Sequence, residues 1–139
     1  MSQVFKCNNI SFKVFVEDTD FQGVVYHANY LKYFERARSQ FLNDYEISQV
    51  TALLKDESYI IKKIDLSFFH SAKLEDELII KSEVELSSKA RMIFNQSAHI
   101  EKSDTLICKG KVEVCYLNGI TGKPKIFPAE LLALFEQLK

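Results

Sequence analysis

Hydrophobic and polar positions change period twice along the chain. From about Ser11 to Glu17 they alternate with the period of a strand: Phe12, Val14 and Val16 fall on one side, Lys13 and Phe15 on the other. The next dozen residues lose that pattern and hold the first glycine, Gly23. From Tyr30 the spacing becomes i, i+3, i+4. Tyr30, Tyr33, Phe34, Ala37, Phe41, Leu42 and Tyr45 make one stripe, and Lys32, Glu35, Arg36, Ser39, Gln40 and Asn43 fill the opposite side. This predicts an amphipathic helix of about four turns, with Asn29 placed to cap it.

Four strand-like segments follow, at roughly Tyr59–Phe69, Glu77–Leu86, Arg91–Glu101 and Thr105–Leu117. Leu78, Ile80, Val84 and Leu86 alternate cleanly, as do Met92, Phe94, Ala98 and Ile100, and again Val112, Val114 and Tyr116. Polar turns at Ser71-Ala72-Lys73, Ser87-Ser88-Lys89 and Lys102-Ser103-Asp104 separate the segments. A tail with Gly119, Gly122, Pro124 and Pro128 leads into a short helix, Ala129 to Gln137. The order is strand, long helix, four long strands, short helix. An apolar helix needs a sheet face to bury against, so the simplest architecture is an α+β fold, a curved antiparallel five-stranded sheet around one long central helix. No repeat or Pro/Gly-rich linker divides residues 1–139, which read as a single domain. Such a sheet leaves edges to cover, and oligomerisation is one way to cover them.

Composition narrows the function. The 139 residues are 47% hydrophobic and 27% charged, which suits a packed domain. The net charge of -1 provides no global field for nucleic acid, so no nucleic-acid partner is expected. Met1 to Lys6 lack a basic stretch leading into an apolar run, and no apolar run approaches the ~20 residues of a membrane helix. Cys7, Cys108 and Cys115 are an odd number without C-x-x-C spacing, which reads as free thiols in a reducing compartment. The expectation is a cytoplasmic protein.

The chemistry-bearing stretch is Glu17-Asp18-Thr19-Asp20-Phe21-Gln22-Gly23-Val24-Val25-Tyr26-His27-Ala28-Asn29-Tyr30. Carboxylates at a strand end precede a glycine turn and a histidine-bearing helix start. Amides at a helix start can stabilise a developing oxyanion, and a facing carboxylate can activate water or attack directly. The same residues also cluster before helices merely to cap and turn the chain, so pattern alone leaves both readings open. Of the remaining polar residues, Glu17 and Asp18 read as structural or solvated charges, and Glu35, Arg36 and Arg38 as a solvated helix face. His70 and His99 have no metal-ligand partner at useful spacing.

The run from Val16 to Arg38, with Asp18-Thr19-Asp20, Gly23-Val24-Val25-Tyr26-His27-Ala28-Asn29-Tyr30 and Tyr33-Phe34-Glu35-Arg36-Ala37-Arg38, closely resembles the signature of YbgC-type acyl-CoA thioesterases. These belong to the 4-hydroxybenzoyl-CoA thioesterase group of hot-dog-fold proteins. Looser resemblance extends over Phe94-Asn95-Gln96 and Gly122-Lys123-Pro124 to Pro128. The resemblance implies a hot-dog fold and hydrolysis of acyl-CoA without metal or other cofactor. It implies Asp20 as the essential carboxylate, His27 in the site, and the backbone amide at His27 polarising the thioester carbonyl. Gly23, Val24, Val25 and Tyr26 would contact substrate. Lys89 and Arg91, by their place beside a strand turn, leave two readings open: contact with CoA phosphates, and a charged hairpin tip. The resemblance further implies a homodimer or homotetramer, with CoA or acyl carrier protein as the acyl carrier. The rival readings are another hot-dog enzyme, such as an acyl-thioester dehydratase, and a non-catalytic acyl-thioester-binding protein.

Overall fold

The computed structural model describes residues 4–137; Met1–Gln3, part of the stretch inspected for a leader, lie outside the described residues. The elements are β1 (Val4–Lys6), β2 (Ile10–Lys13), α1 (Tyr30–Asp44), α2 (Gln49–Leu54), β3 (Glu57–Phe68), β4 (Glu77–Ser88), β5 (Arg91–Ile100), β6 (Leu106–Asn118) and α3 (Ala129–Glu136). Every strand pairing is antiparallel, in the order β1-β4-β5-β6-β3, with β2 sharing the β1 side of β4. The sheet-around-helix architecture expected from the periodicity is therefore present.

The edge beside β4 consists of two short strands where one was expected. Val4–Lys6 pairs with Glu83–Val84–Glu85 and Ile10–Lys13 with Glu77–Ile80. Three residues carry no readable period, which is why β1 escapes the sequence pattern. The strand expected to reach Glu17 stops at Lys13, and Val16–Asp18 instead forms a single 3-10 turn. The cause is local: the Phe15 amide donates to the Asp18 carboxylate (2.9 Å) and the Asp18 amide to the Phe15 carbonyl (2.9 Å), diverting backbone groups a ladder would need. The unpredicted α2 starts where Ser48 caps it, its hydroxyl accepting from the Thr51 amide at 3.1 Å.

The concave face of the sheet is built of cross-strand rows fixed by register. Ile80, Ala98 and Cys108 form one row; Val84, Phe94 and Val112 another; Leu86, Met92 and Val114 a third. The α1 stripe packs on them, with Tyr30, Tyr33, Phe34, Ala37, Phe41 and Leu42 all buried. Between the first two rows lies a polar one, Ser82, Gln96 and Gly110. It separates the apolar cluster around Tyr33, Phe34 and Ile80 from the cluster around Phe41, Phe94 and the α3 residues Leu131 and Phe135. Gly110 permits a close approach there: an added Cβ would sit 2.5 Å from Leu66 Cδ2 and 3.2 Å from Phe34 Cε2, so both side chains would have to shift.

Candidate active site

The stretch between β2 and α1 folds as a short hairpin laid against the Ala72–Leu74 segment that leads into β4. The Asp20 amide donates to the Val24 carbonyl and the Gly23 amide to the Asp20 carbonyl, closing a turn at 2.9 and 3.0 Å. Gly23 has φ +77°, a left-handed conformation that costs any residue with a Cβ. The Val25 amide donates to Ala72 O and the Leu74 amide to Gly23 O, which moors the hairpin to the sheet.

Asp20 lies at the first position of this turn, half-buried. Its Oδ1 accepts from the Gln22 amide at 2.8 Å. No hydrogen bond to Oδ2 is made among the described residues, so the carboxylate is oriented through one oxygen and leaves the other open. His27 opens a 3-10 turn, His27–Asn29, that runs directly into α1. The first amides of such a turn have no acceptor within it and aim outward. The His27 ring is exposed, 4.6 Å from the Tyr26 ring and 6.3 Å from Phe68 between centroids. Phe68 also meets Tyr30 at 5.9 Å. Phe68 and Phe69 are 49% and 52% exposed, so an apolar wall faces solvent beside the turn.

Asp18 proves to be the fastener of this arrangement. It is buried, and its carboxylate accepts from the Phe15 amide and from Asn29 Nδ2 (3.0 Å), while its carbonyl accepts from the Tyr26 amide (3.0 Å). Asn29 therefore does not cap α1: it has helical dihedrals and spends its side-chain amide on Asp18. The buried Tyr33 hydroxyl lies beside this pair without an aligned hydrogen bond. Burial, reinforced by the charge on Asp18, holds that phenol above its ordinary range.

The fold brings Asp20, Gly23, Val24, Tyr26 and the His27 backbone into one neighbourhood, with the Val25 side chain turned into the core. It does not bring Lys89 and Arg91 there. Those two adjoin the far end of the twelve-residue β4, about 35–40 Å along the strand from its Glu77 end. Lys89 is exposed, and Arg91 pairs with Glu113 at 3.6 Å. Of the other histidines, His70 is exposed, while His99 Nε2 meets Ser97 Oγ at 2.9 Å. Cys7, Cys108 and Cys115 are buried free thiols.

Sequence reasoning missed the polar row. Gln96 is buried, accepts from Arg38 Nη1 (3.0 Å), and donates to the Phe34 carbonyl and Ser82 Oγ (3.0 Å each). The signal was available: Ser82 and Gln96 interrupt the alternation at inward-facing positions, between Ile80 and Val84 and between Phe94 and Ala98. Arg38, read as part of a solvated helix face, is largely withdrawn into this interior, and burial lowers the pKa of its guanidinium.

A sheet wrapped around one helix has known counterparts. Residues 14–135 match the family model of the thioesterase-like superfamily. Acyl-CoA thioesterase YbgC of Haemophilus influenzae is 36% identical over 135 residues, covering 95% of this chain and 98% of the relative. Acyl-CoA thioester hydrolase YbgC of Escherichia coli is 30% identical over 125 residues, covering 90% and 92%. The crystal structure of a 1,4-dihydroxy-2-naphthoyl-CoA thioesterase from Synechocystis superimposes with a TM-score of 0.90 over 98% of both chains; at 19% identity this likeness speaks to the fold alone. The chain belongs to the thioesterase-like superfamily and, within it, to the YbgC-type acyl-CoA thioesterases.

Proposed function

We propose that this chain hydrolyses acyl-CoA thioesters to the free acid and CoA, with Asp20 as the reacting carboxylate. The observation that carries the reading is the Asp20 carboxylate, held by the Gln22 amide through Oδ1 and open at Oδ2, in the same moored hairpin as the start of α1. The thioester carbonyl oxygen rests on the outward amide of His27, where the helix start favours developing negative charge. Asp20 then serves in one of two ways. As general base it takes a proton from water, the hydroxide adds to the carbonyl carbon, and the C–S bond breaks to release CoA thiolate. As nucleophile it adds to that carbon itself, expels the thiolate and leaves a mixed anhydride that water hydrolyses. Gly23, Val24 and Tyr26 border the reacting carbon, and Phe68 and Phe69 offer apolar surface to the acyl group, short-chain acids included.

The exposed β3 edge, with Ile61 and Ile64 at 44% and 37% exposure, supports assembly as a homodimer or a dimer of dimers. In such an assembly Lys89 and Arg91 serve the CoA phosphates of a site on another copy. The described helices include none long and apolar enough to cross a membrane, and we place the enzyme in the cytoplasm. Either CoA or acyl carrier protein suits an open turn as the acyl carrier.

The test is thiol release from a panel of acyl-CoAs by wild type and Asp20→Asn. Turnover by the wild type with a loss of about 10²–10⁴-fold in a folded variant is expected. Equal turnover by both would remove Asp20 from the mechanism. CoA analogues that bind without thiol release would favour the binding-protein reading. In a single turnover in H2 18O, label incorporated into the Asp20 side chain marks the covalent route; label confined to the product acid fits either route, and trapping of the mixed anhydride with hydroxylamine then separates them.

A further inference from the structure

The face of the sheet turned away from α1 carries a second cluster of chemistry-bearing side chains. Gln96 and Ala98 are buried on the α1 side of β5, so Ser97 and His99 point to the other side. A bulge against β6 between Ala98 and His99 re-aims the histidine, whose side chain is 15% exposed. The turn after β5 then sets Asp104 beside the ring, its amide donating to the Ile100 carbonyl at 2.8 Å. His99 Nδ1 lies 3.3 Å from Asp104 Oδ1 and 3.4 Å from the Asp104 carbonyl oxygen. Both of these are acceptors, so Nδ1 carries the ring proton and Nε2 is left bare. Ser97 Oγ, 2.9 Å from Nε2, therefore donates its hydroxyl proton to the ring. This is the order of a serine nucleophile, a histidine base and an orienting carboxylate.

Ser97 is half-buried and lines an open cleft of about 590 Å³. Register places Lys81 of β4 and Lys109 of β6 directly opposite it, one on either side. Lys81 also donates to Asp104 Oδ1 at 3.1 Å and holds that carboxyl below its ordinary range, so Asp104 stays an acceptor for His99. The cleft contains Glu83 against three lysines, Lys6, Lys81 and Lys109, so its charge is positive on balance. Its lining includes no residue of β3, and β6 stands between β5 and that edge. The contact between copies proposed along β3 therefore lies outside it.

We propose that Ser97, His99 and Asp104 form a second acyl-transfer centre, separate from the Asp20 turn, that takes small polar carboxylic esters. His99 Nε2 removes the Ser97 proton as Oγ adds to the ester carbonyl carbon. The oxyanion that develops is met by the Lys81 and Lys109 ammonium groups. The C–O bond to the alcohol breaks, and the imidazolium gives its proton to the departing alkoxide. Water, deprotonated by the same nitrogen, then cleaves the acyl-Ser97 ester to the free acid, and Ser97 recovers its proton from His99. Asp104 touches no substrate; it is a positioning residue that keeps the ring proton on Nδ1. The open lining with Asn8, Asn9 and Asn95 suits a polar ester over a long acyl chain.

The test uses the whole chain as wild type and as Asp20→Asn, which separates its outcome from that of the thiol-release assay. A fluorophosphonate transfers its phosphonyl group to an activated serine with loss of fluoride, and mass spectrometry of the digest locates the adduct. The expected adduct is on Ser97 in both backgrounds. Hydrolysis of 4-nitrophenyl acetate should survive Asp20→Asn and be lost when Ser97→Ala is added. His99→Ala should slow the labelling about 10²-fold, and imidazole in the buffer should restore part of it. In protein labelled with 15N-histidine at pH 8, the His99 ring should show the Nδ1–H tautomer, and Asp104→Asn should move it toward Nε2–H. No adduct on Ser97, labelling indifferent to His99→Ala, or an Nε2–H ring in the wild type would each overturn the assignment. Should a variant fail to fold, the site of the adduct and the tautomer in the wild type still decide the matter.

Discussion

Replacing Asp18 by alanine should damage this protein far more than an ordinary loop carboxylate would. The carboxylate accepts two hydrogen bonds, from the Phe15 amide at 2.9 Å and Asn29 Nδ2 at 3.0 Å. Asn29 is 5% exposed, so its orphaned amide would be cut off from water, with only the neighbouring Tyr33 hydroxyl as a poorly aligned acceptor. A buried polar group left unpaired costs about 1–3 kcal/mol. The Phe15 amide is nearer solvent and loses only the net value of its bond, about 0.5–1.5 kcal/mol. Together these give a loss of about 2–4 kcal/mol, a large share of the ~5–15 kcal/mol that holds a domain folded. At about 3 °C per kcal/mol for a domain of this size, the melting temperature should drop by roughly 6–12 °C. Urea denaturation followed by circular dichroism measures the first quantity and a thermal melt the second. Asn29→Ala removes the other partner, so the double variant should be less destabilised than the sum of the singles, by at least about 0.5 kcal/mol. A loss below about 0.5 kcal/mol in Asp18→Ala, the range of an unremarkable surface change, would refute the reasoning. So would strict additivity with Asn29→Ala.

Two further outcomes follow from the packing. Gly110→Ala forces a Cβ to within 2.5 Å of Leu66 Cδ2 and 3.3 Å of the Asp65 carbonyl, so denaturant titration should show a loss of about 1–3 kcal/mol; an unchanged midpoint would mean the polar row has room to spare. Burial pushes the Cys7 and Cys108 thiols up from 9.0 to about 12, Asp44 and Glu83 adding to the effect at Cys7. Both should therefore resist a thiol reagent at pH 8 until urea is added, as mass spectrometry would reveal. A pKa raised on folding contributes stability that is whole below the unfolded value and is lost as pH rises through the folded one. The urea midpoint should thus decline from about pH 9 toward pH 12.

Much of the molecule was legible residue by residue. The i, i+3, i+4 stripe from Tyr30 became α1 with every member from Tyr30 to Leu42 buried. The four long alternating segments became β3 to β6 within two residues at either end. Periodicity succeeds there because each side chain's direction is set by local backbone geometry, 3.6 residues per turn or two per pleat. It failed where a side chain competes with the backbone. Asp18 curtails a strand by taking the Phe15 amide, and Asn29 gives up its cap for Asp18, eleven residues away. The first partner is only three residues away but leaves the alternation of apolar positions unmarked, and the second lies beyond any short window.

The likeness of the Val16 to Arg38 run to the thioesterase signature located the candidate turn without coordinates, because the candidate carboxylate and the amides beside it are neighbours in the chain. Which distant residues share that neighbourhood was beyond the sequence. The antiparallel register sets Phe68 beside His27, sends Lys89 and Arg91 to the far end of β4, and aligns Ser82, Gln96 and Gly110 across three strands to draw Arg38 inward. Local order follows from the periods written in the chain. Proximity across strands follows from pairing, and pairing is settled only when the whole sheet closes around its helix.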